Sequence, residues 1–345
     1  MSGGLARTIR RRSVAPPTEW VNVRALRSEG PLPAVVEPVV GGIDLPAWAE
    51  TQRGTLDREL TRWGALLFRG FTLPSVPDFE RFVAAAAGEP IPYEDQSSPR
   101  SALGGRIYTS TEHPPEEEIL LHNENSYSHT WPLRILFYCV VAPTSGGETP
   151  LADSRRVYKR IDPRVRRRFE EQGVLYVRNF GSGFGLDWRA VFQTDDPARV
   201  DAYCRDAGIE SEWREGGRLR TRQVRPAVLD HPVTGERVWF NQTPLFHPAA
   251  LAPAVREELL RLFAEEDLPN AVYYGDGAAI APSAVAEIVE AYRQETVSFP
   301  WRTGDVLMLD NALVAHGRRP FSGPRRIAVG MARPQAWPAS LECRR

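Results

Sequence analysis

The residues best able to do chemistry in this chain are few. Six histidines occur, at 113, 122, 129, 231, 247 and 316, and any metal site built on imidazole must draw on them. His122-Asn123-Glu124 places an imidazole and a carboxylate two residues apart. On an extended chain, residues i and i+2 project from the same face, so both side chains can reach one point. No long helical pattern precedes Leu133, which sets the pair on a strand edge or a loop. A further ligand could come from His316, which follows the apolar runs Asp305 to Leu309 and Asn311 to Ala315. Two histidines and one carboxylate on one face of an octahedral ion leave three positions open. That is the facial triad of non-haem Fe(II) oxygenases, whose open positions take a cosubstrate and dioxygen. His-x-Glu alone is common by chance, and its ordinary meaning is a surface histidine beside a solvated glutamate. Arg326 adds to it: it lies ten residues after His316, in Gly323-Pro-Arg-Arg-Ile-Ala-Val-Gly330, a turn leading into an apolar strand. An arginine placed there can offer a planar fork to a carboxylate.

Elements that could position these residues follow from periodicity. Leu56, Leu60 and Trp63 mark an amphipathic helix leading into a buried strand, Gly64-Ala-Leu-Leu-Phe-Arg-Gly70. Asp78 is the expected N-cap of a helix through Ala87. Residues 88–118 carry no period and are rich in Pro, Ser and Gly, the composition of a functional loop or lid. Beyond it the sequence predicts a strand over Leu133 to Val141 and a turn at Pro143-Thr-Ser-Gly-Gly147. Helices are expected over 154–160, 163–172, 197–206, 253–266 and 283–294, and strands over 236–241, 305–309, 311–315 and 326–332. Short strands take the core positions and helices lie in blocks outside them. No strand–helix alternation appears and no phosphate-binding glycine pattern opens a helix, which argues against a doubly wound sheet and against nucleotide-dependent readings.

Composition narrows the class of partner. Forty-three Lys+Arg against 44 Asp+Glu leave a net charge of -1, which argues against nucleic acid as partner. Lys159 is the single lysine, and this arginine bias reads as codon usage in a GC-rich bacterium. Cys139, Cys204 and Cys343 form no Cys-x-x-Cys pair and imply no disulfide framework; Cys139, within an apolar run, is expected to be a small buried hydrophobe. No apolar run is long enough to cross a bilayer, and the Arg-rich start has no apolar stretch behind it. The expectation is a cytoplasmic enzyme with no membrane partner, a disordered tail over 1–18 and one domain over 19–345, with a helical insertion over about 154–300. Oligomeric state is not encoded in any pattern here.

On its motifs the chain resembles the taurine dioxygenase (TauD/TfdA-like) superfamily of Fe(II)/2-oxoglutarate-dependent oxygenases. Within it the likeness is to the clavaminate-synthase-like and syringomycin-hydroxylase-like branch. The resemblance runs from about Gly64 to Arg333 and is most specific in His122-Asn-Glu-Asn-Ser-Tyr127, Gly146-Gly-Glu-Thr-Pro150 and the stretch from His316 to Arg326. It implies iron ligands His122, Glu124 and His316, with Arg326 gripping the far carboxylate of 2-oxoglutarate, helped by the Thr149 hydroxyl. Arg325 is the alternative, because neighbours on a strand face opposite ways and only one can enter the pocket. Glu124 occupies the position that related halogenases leave to a small residue, so the resemblance implies oxygenation rather than halogenation. The implied fold is a mixed α/β chain with an all-β core, a double-stranded β-helix (jelly-roll) with flanking helices and long lid insertions.

The implied activity is hydroxylation or desaturation of an unactivated carbon in an amino acid or amino-acid derivative, serving secondary metabolism, with substrates in some relatives tethered to a carrier protein. It consumes dioxygen and converts 2-oxoglutarate to succinate. Candidate substrate contacts are His113 in the overhanging loop, Asn241 or Gln242, Asp276 and Arg134. His129 has no ligand-like partner nearby, and His231 and His247 each precede proline and read as turn residues. Two other functions use the same ligands: a sensor that binds metal and 2-oxoglutarate without turnover, and a zinc hydrolase with an activated water. Arg326 discriminates against the hydrolase, which has no use for it.

Overall fold

Period-two burial organises the core. In the strand Thr130–Val141, Ile135, Phe137 and Cys139 face one side while Leu136 and Tyr138 face the other, and both sides are buried. This strand lies within an eight-stranded sheet of a computed structural model that describes residues 20–27, 30–92, 100–183 and 185–337. The tail expected over 1–18 falls outside the described residues. The lateral order is Val21–Arg27, Gly30–Pro38, Ala65–Phe68, Val306–Asp310, Thr130–Val141, Arg326–Ala336, Ile107–Thr109 and Ala102–Gly104. Neighbours are antiparallel except Gly30–Pro38 with Ala65–Phe68.

One face of the sheet, through Leu66, Phe68, Leu136, Met308 and Ala328, packs on helices Leu45–Trp63 and Val76–Ala87, which contribute Leu56, Leu60, Phe79 and Phe82. Asp44 caps the first helix, accepting from the Ala47 amide at 2.8 Å. The second is capped by Ser75, which accepts from the Asp78 amide, and not by Asp78 as expected. Asp78 sits instead in the first turn, where the helix dipole favours a carboxylate. The other face of the sheet packs on a three-stranded sheet of Ile119–His122, Val314–Arg318 and Leu151–Asp153. Leu151, Leu313 and Val314 meet Phe137, Leu309, Ile327 and Val329 between the two sheets. The two layers make the expected jelly-roll core.

The segment 154–300 departs from the helical expectation. Besides helices it carries a four-stranded antiparallel sheet in the order Glu210–Arg214, Arg218–Arg225, Val174–Phe180 and Asn270–Tyr274. Inward-facing arginines hide these strands from an apolar-alternation reading. Arg220 is buried against Asn179 and Asp267, and Arg225 against Gln223 and the carbonyls of Tyr127 and Ala207. The insertion packs on the jelly-roll through Phe169, Trp239 and Phe246 against Tyr127, Ala152 and Ala315. Its ends meet: the amides of Leu151 and Val297 each donate to the other's carbonyl at 2.8 Å. In the lid segment, Ala102–Gly104 and Ile107–Thr109 extend the large sheet. No helix of the described residues is long and apolar enough to cross a membrane.

Candidate active site

Strand pairing brings two histidines together. His316 lies directly across from His122 in the small sheet, and their ring centroids are 4.6 Å apart. The close approach of these strands depends on Gly317, where a Cβ would lie 2.5 Å from the Ile119 carbonyl oxygen. Glu124 follows the strand in a turn, and its Oε2 lies 3.6 Å from His316 Nε2 and 4.0 Å from His122 Nε2. Ligand atoms of the three residues all fall within 4.8 Å of one another.

The donor set fits a divalent cation. His122 Nδ1 donates to the Leu120 carbonyl at 2.8 Å, since a carbonyl oxygen can only accept. That bond leaves Nε2 with its lone pair, turned toward Glu124. Burial, with the charge of His316, draws the His122 imidazole down to about 4, so it is neutral near pH 7. Burial alone would raise the Glu124 carboxyl, but the guanidinium of Arg100 and the two imidazoles outweigh it and hold the group well below the carboxylate range. An unprotonated nitrogen facing a carboxylate oxygen is the arrangement a shared cation stabilises. Phe137 packs its ring 5.1 Å from that of His316, closing the floor of the site.

A half-buried guanidinium lies just before the strand Arg326–Ala336, and it belongs to Arg325. Arg325 donates from Nε to the Gly147 carbonyl at 3.0 Å and from Nη1 to the Ser110 hydroxyl at 3.2 Å. Burial, and the charge of Arg318, draw it down to about 10. Arg326, expected to enter the pocket, is instead exposed at the start of its strand, opposite Val141. Side-chain alternation along the strand accounts for this difference in exposure. Ile327, Val329 and Met331 face the space between the sheets, whereas Ala328 and Ala332 face the helices. Arg325 shares the first parity, and Arg326 shares the second at a point beyond helix cover. Gly147, with φ of +70°, turns its carbonyl to Arg325 at a position where a Cβ would lie 2.9 Å from Phe321 and Pro143. Thr149 is buried, and its hydroxyl oxygen accepts from the Trp301 indole at 3.2 Å. The indole takes an oxygen lone pair and leaves the Thr149 proton for another acceptor.

The model of the family described as taurine catabolism dioxygenase TauD, TfdA family, matches residues 28–332. The chain belongs to that family. Its members, this chain among them, are iron- and 2-oxoglutarate-dependent oxygenases. The dapdiamide synthesis protein DdaC of Enterobacter agglomerans is 40% identical over 287 residues, covering 83% of this chain and 87% of that protein. A clavaminate synthase-like protein of Arabidopsis thaliana is 34% identical over 321 residues, covering 88% and 94%. Among solved structures, PvcB of Pseudomonas aeruginosa aligns over 96% of this chain and 95% of its own, with TM-score 0.54 and 16% identity. A taurine dioxygenase of Burkholderia xenovorans aligns over 93% and 96%, with TM-score 0.52 and 17% identity. These last two likenesses are of fold.

Within this family member the expected substrate contacts have other work. Arg134 is buried in an ion pair with Asp310 at 2.5 Å, and Asp310 also accepts from His231 at 3.1 Å. That network makes His231 a buried structural residue beyond its place in a turn. Asn241 spends both ends of its amide locally, donating to the Ala227 carbonyl and accepting from the Thr243 amide. Asp276 is exposed in a tight turn, accepting from the Ala278 amide. His113 is exposed; its carbonyl accepts from Arg318 at 2.9 Å and its ring lies 3.7 Å from the Glu117 carboxylate. Gln242, the alternative to Asn241, does reach the metal segment, donating to the Asn123 carbonyl at 2.9 Å. Cys139 is fully buried, and burial pushes its thiol up to about 12.

Three residues went unnoticed in the sequence. Arg100 donates to Glu124 Oε2 at 2.8 Å from within the lid segment. Ser110, in the loop chosen for His113, is the residue that touches Arg325. Arg318 shares a face with His316 and donates to the carbonyls of His113, Pro114 and Glu117. In so arginine-rich a chain no local signal marks Arg100 or Arg318. The parity of the strand after Arg325 was a usable signal for that residue.

Proposed function

We propose that this oxygenase hydroxylates or desaturates an unactivated carbon of an amino acid or amino-acid-derived substrate, free or carrier-tethered, in a biosynthetic pathway. The observation that carries the reading is the convergence of His122, Glu124 and His316 in the same jelly-roll as the half-buried, hydrogen-bonded guanidinium of Arg325. The relatedness to a dapdiamide synthesis protein supports the biosynthetic setting.

In this assignment His122, Glu124 and His316 hold Fe(II), and Arg325 with the Thr149 hydroxyl receives the far carboxylate of 2-oxoglutarate. Bound iron and 2-oxoglutarate supply the oxidising chemistry with dioxygen. The protein's share is position. Arg325 is already fixed by Gly147 and Ser110, so little ordering is needed when the dianion binds. Arg100 keeps Glu124 ionised, and Phe137 and Trp301 keep water from the histidine and the threonine. Placement of the substrate carbon decides between hydroxylation and desaturation.

The test is an anaerobic titration of the Fe(II)-loaded chain with 2-oxoglutarate. It is followed by succinate analysis and mass spectrometry over amino acids and derivatives, free and carrier-bound. A visible charge-transfer band with substrate-stimulated succinate is the expected result. No band would sink the cosubstrate assignment, and a band without stimulation by any member of the panel would sink the substrate class. Zinc-supported turnover untouched by loss of Arg325 would establish a hydrolase instead.

A further inference from the structure

Glu124 sits in a turn, outside the ladder that holds the two histidines, so its backbone groups need partners from elsewhere. One side chain supplies them. Asn311 accepts the Glu124 amide on Oδ1 at 2.8 Å and donates from Nδ2 to the Glu124 carbonyl at 2.9 Å. The second Nδ2 proton goes to the Pro132 carbonyl at 2.8 Å. In return, Asn123 donates to the Asn311 carbonyl at 2.7 Å, and Asn123 and Asn311 are both fully buried. Asn311 thus does with a side chain what a neighbouring strand would do with a peptide: it pairs with both backbone groups of one residue.

Its location gives the clasp a purpose. Asn311 lies between the strands Val306–Asp310 and Val314–Arg318, so the segment that carries His316 also holds the peptide that carries Glu124. The preceding Asp310 is fixed in turn, Oδ1 accepting the amides of Ala312 and Leu313 and Oδ2 pairing with Arg134. Movement of the Glu124 peptide relative to His316 must therefore break bonds to Asn311.

We infer that Asn311 is the positioning residue for the carboxylate ligand, setting the distance between Glu124 and His316 and with it the metal affinity of the chain. The inference rests on the assignment of His122, Glu124 and His316 as the metal site. The requirement is for an amide of this length. Aspartate lacks the two protons owed to Glu124 and Pro132 and would set an anion against their carbonyls. Leucine, near in shape, offers neither donor nor acceptor, and glutamine is a methylene too long.

The experiment is Mn(II) titration of the full-length chain, read by the loss of the free-ion electron paramagnetic resonance signal. The chains are wild type, Asn311→Asp, Asn311→Leu, His316→Ala and Leu60→Ala, a buried residue of the helix Leu45–Trp63 remote from the ligands. Ligand-supporting residues typically contribute 10- to 100-fold in metal affinity, so the Asn311 variants are expected to raise the Mn(II) Kd by about that factor. Leu60→Ala lowers Tm without changing Kd, which separates positioning from general destabilisation. If Asn311→Leu fails to fold, Asn311→Ser, which leaves only a shortened hydroxyl, is read in the same way. A Kd within twofold of wild type in the folded Asn311 variants overturns the inference. Persistence of tight Mn(II) binding in His316→Ala overturns instead the metal-site assignment beneath it.

Discussion

Replacing Arg325 and Arg326 in turn by methionine sets a half-buried guanidinium against an exposed one, two adjacent residues of the same type. Methionine keeps most of the aliphatic stem and removes the charge. Arg325 is held by Gly147 and Ser110 and drawn down by burial, so its charge is poorly solvated before any ligand arrives. Truncating one partner of a buried, hydrogen-bonded charge pair costs about 2–5 kcal/mol. At about 1.4 kcal/mol per decade, this raises the Kd for 2-oxoglutarate by about 30- to 4,000-fold in Arg325→Met. Arg326 is exposed opposite Val141, where a screened charge contributes about 0.2–1 kcal/mol, so Arg326→Met changes Kd by at most about fivefold. The assay is anaerobic titration of each Fe(II)-loaded variant with 2-oxoglutarate, with Mn(II) affinity measured in parallel to show that the metal site is intact. A large loss in Arg326→Met alongside a near-normal Arg325→Met would refute the parity argument and return the role to Arg326.

Other perturbations test the supports of the site. Trp301→Phe removes the indole N–H that orients Thr149, a bond of about 0.5–1.5 kcal/mol, and should weaken 2-oxoglutarate by about 2- to 12-fold in the same titration. Gly317→Ala drives a methyl group to 2.5 Å from the Ile119 carbonyl oxygen; overpacking of this kind costs about 1–3 kcal/mol and pushes the two histidine strands apart. Weaker Mn(II) binding is expected, and unchanged affinity with unchanged Tm would show that the strands yield without consequence. Asp310→Asn removes the nearer anion of buried Arg134, leaving only Asp57 at 3.8 Å, and should cost about 3 kcal/mol in denaturant unfolding at pH 7. Burial alone would raise the Asp310 carboxyl, but the bond from His231 and the charge of Arg134 hold it below its ordinary value. A carboxyl depressed in the folded state contributes stability above its ordinary pKa, which is lost as pH falls through the folded value. Wild type should therefore lose stability more steeply than Asp310→Asn below about pH 4, the unfolded value. Parallel acid limbs would count against that coupling.

How much of this was legible in the sequence depended on whether a residue's work was local. The strand Thr130–Val141 and the helices at 154–160, 163–172 and 197–206 were readable because their periods reflect burial on a single element. The joining of His122 and Glu124 with His316 needed long-range pairing, which spacing alone could only suggest and the family likeness made specific. Arg326 is exposed and Arg325 half-buried, the latter on the parity of the inward-facing residues at 327, 329 and 331. The sheet of the insertion was hidden because Arg220 and Arg225 occupy its buried positions, where an apolar pattern would ordinarily appear. Asn241, Asp276 and Arg134 are polar residues doing structural work, and nothing in a sequence separates an amide that fixes a turn from one that meets a ligand.

The meeting of Leu151 and Val297 has a consequence for how such a chain can vary. The insertion leaves the jelly-roll and returns to it at one pair of hydrogen bonds, so its exit and entrance are adjacent whatever its contents. Closing a loop costs only about 0.6 kcal/mol for each doubling of its length. Residues can be added or removed there while the registers of His122 and His316 stay as they are. What restrains such change is contact, including Gln242 against Asn123, Arg225 against Tyr127, His231 against Asp310, Phe240 against Trp131 and the aromatic packing on Ala152 and Ala315. Away from such contacts the segment can diverge, a graft on a scaffold whose two cut ends remain side by side.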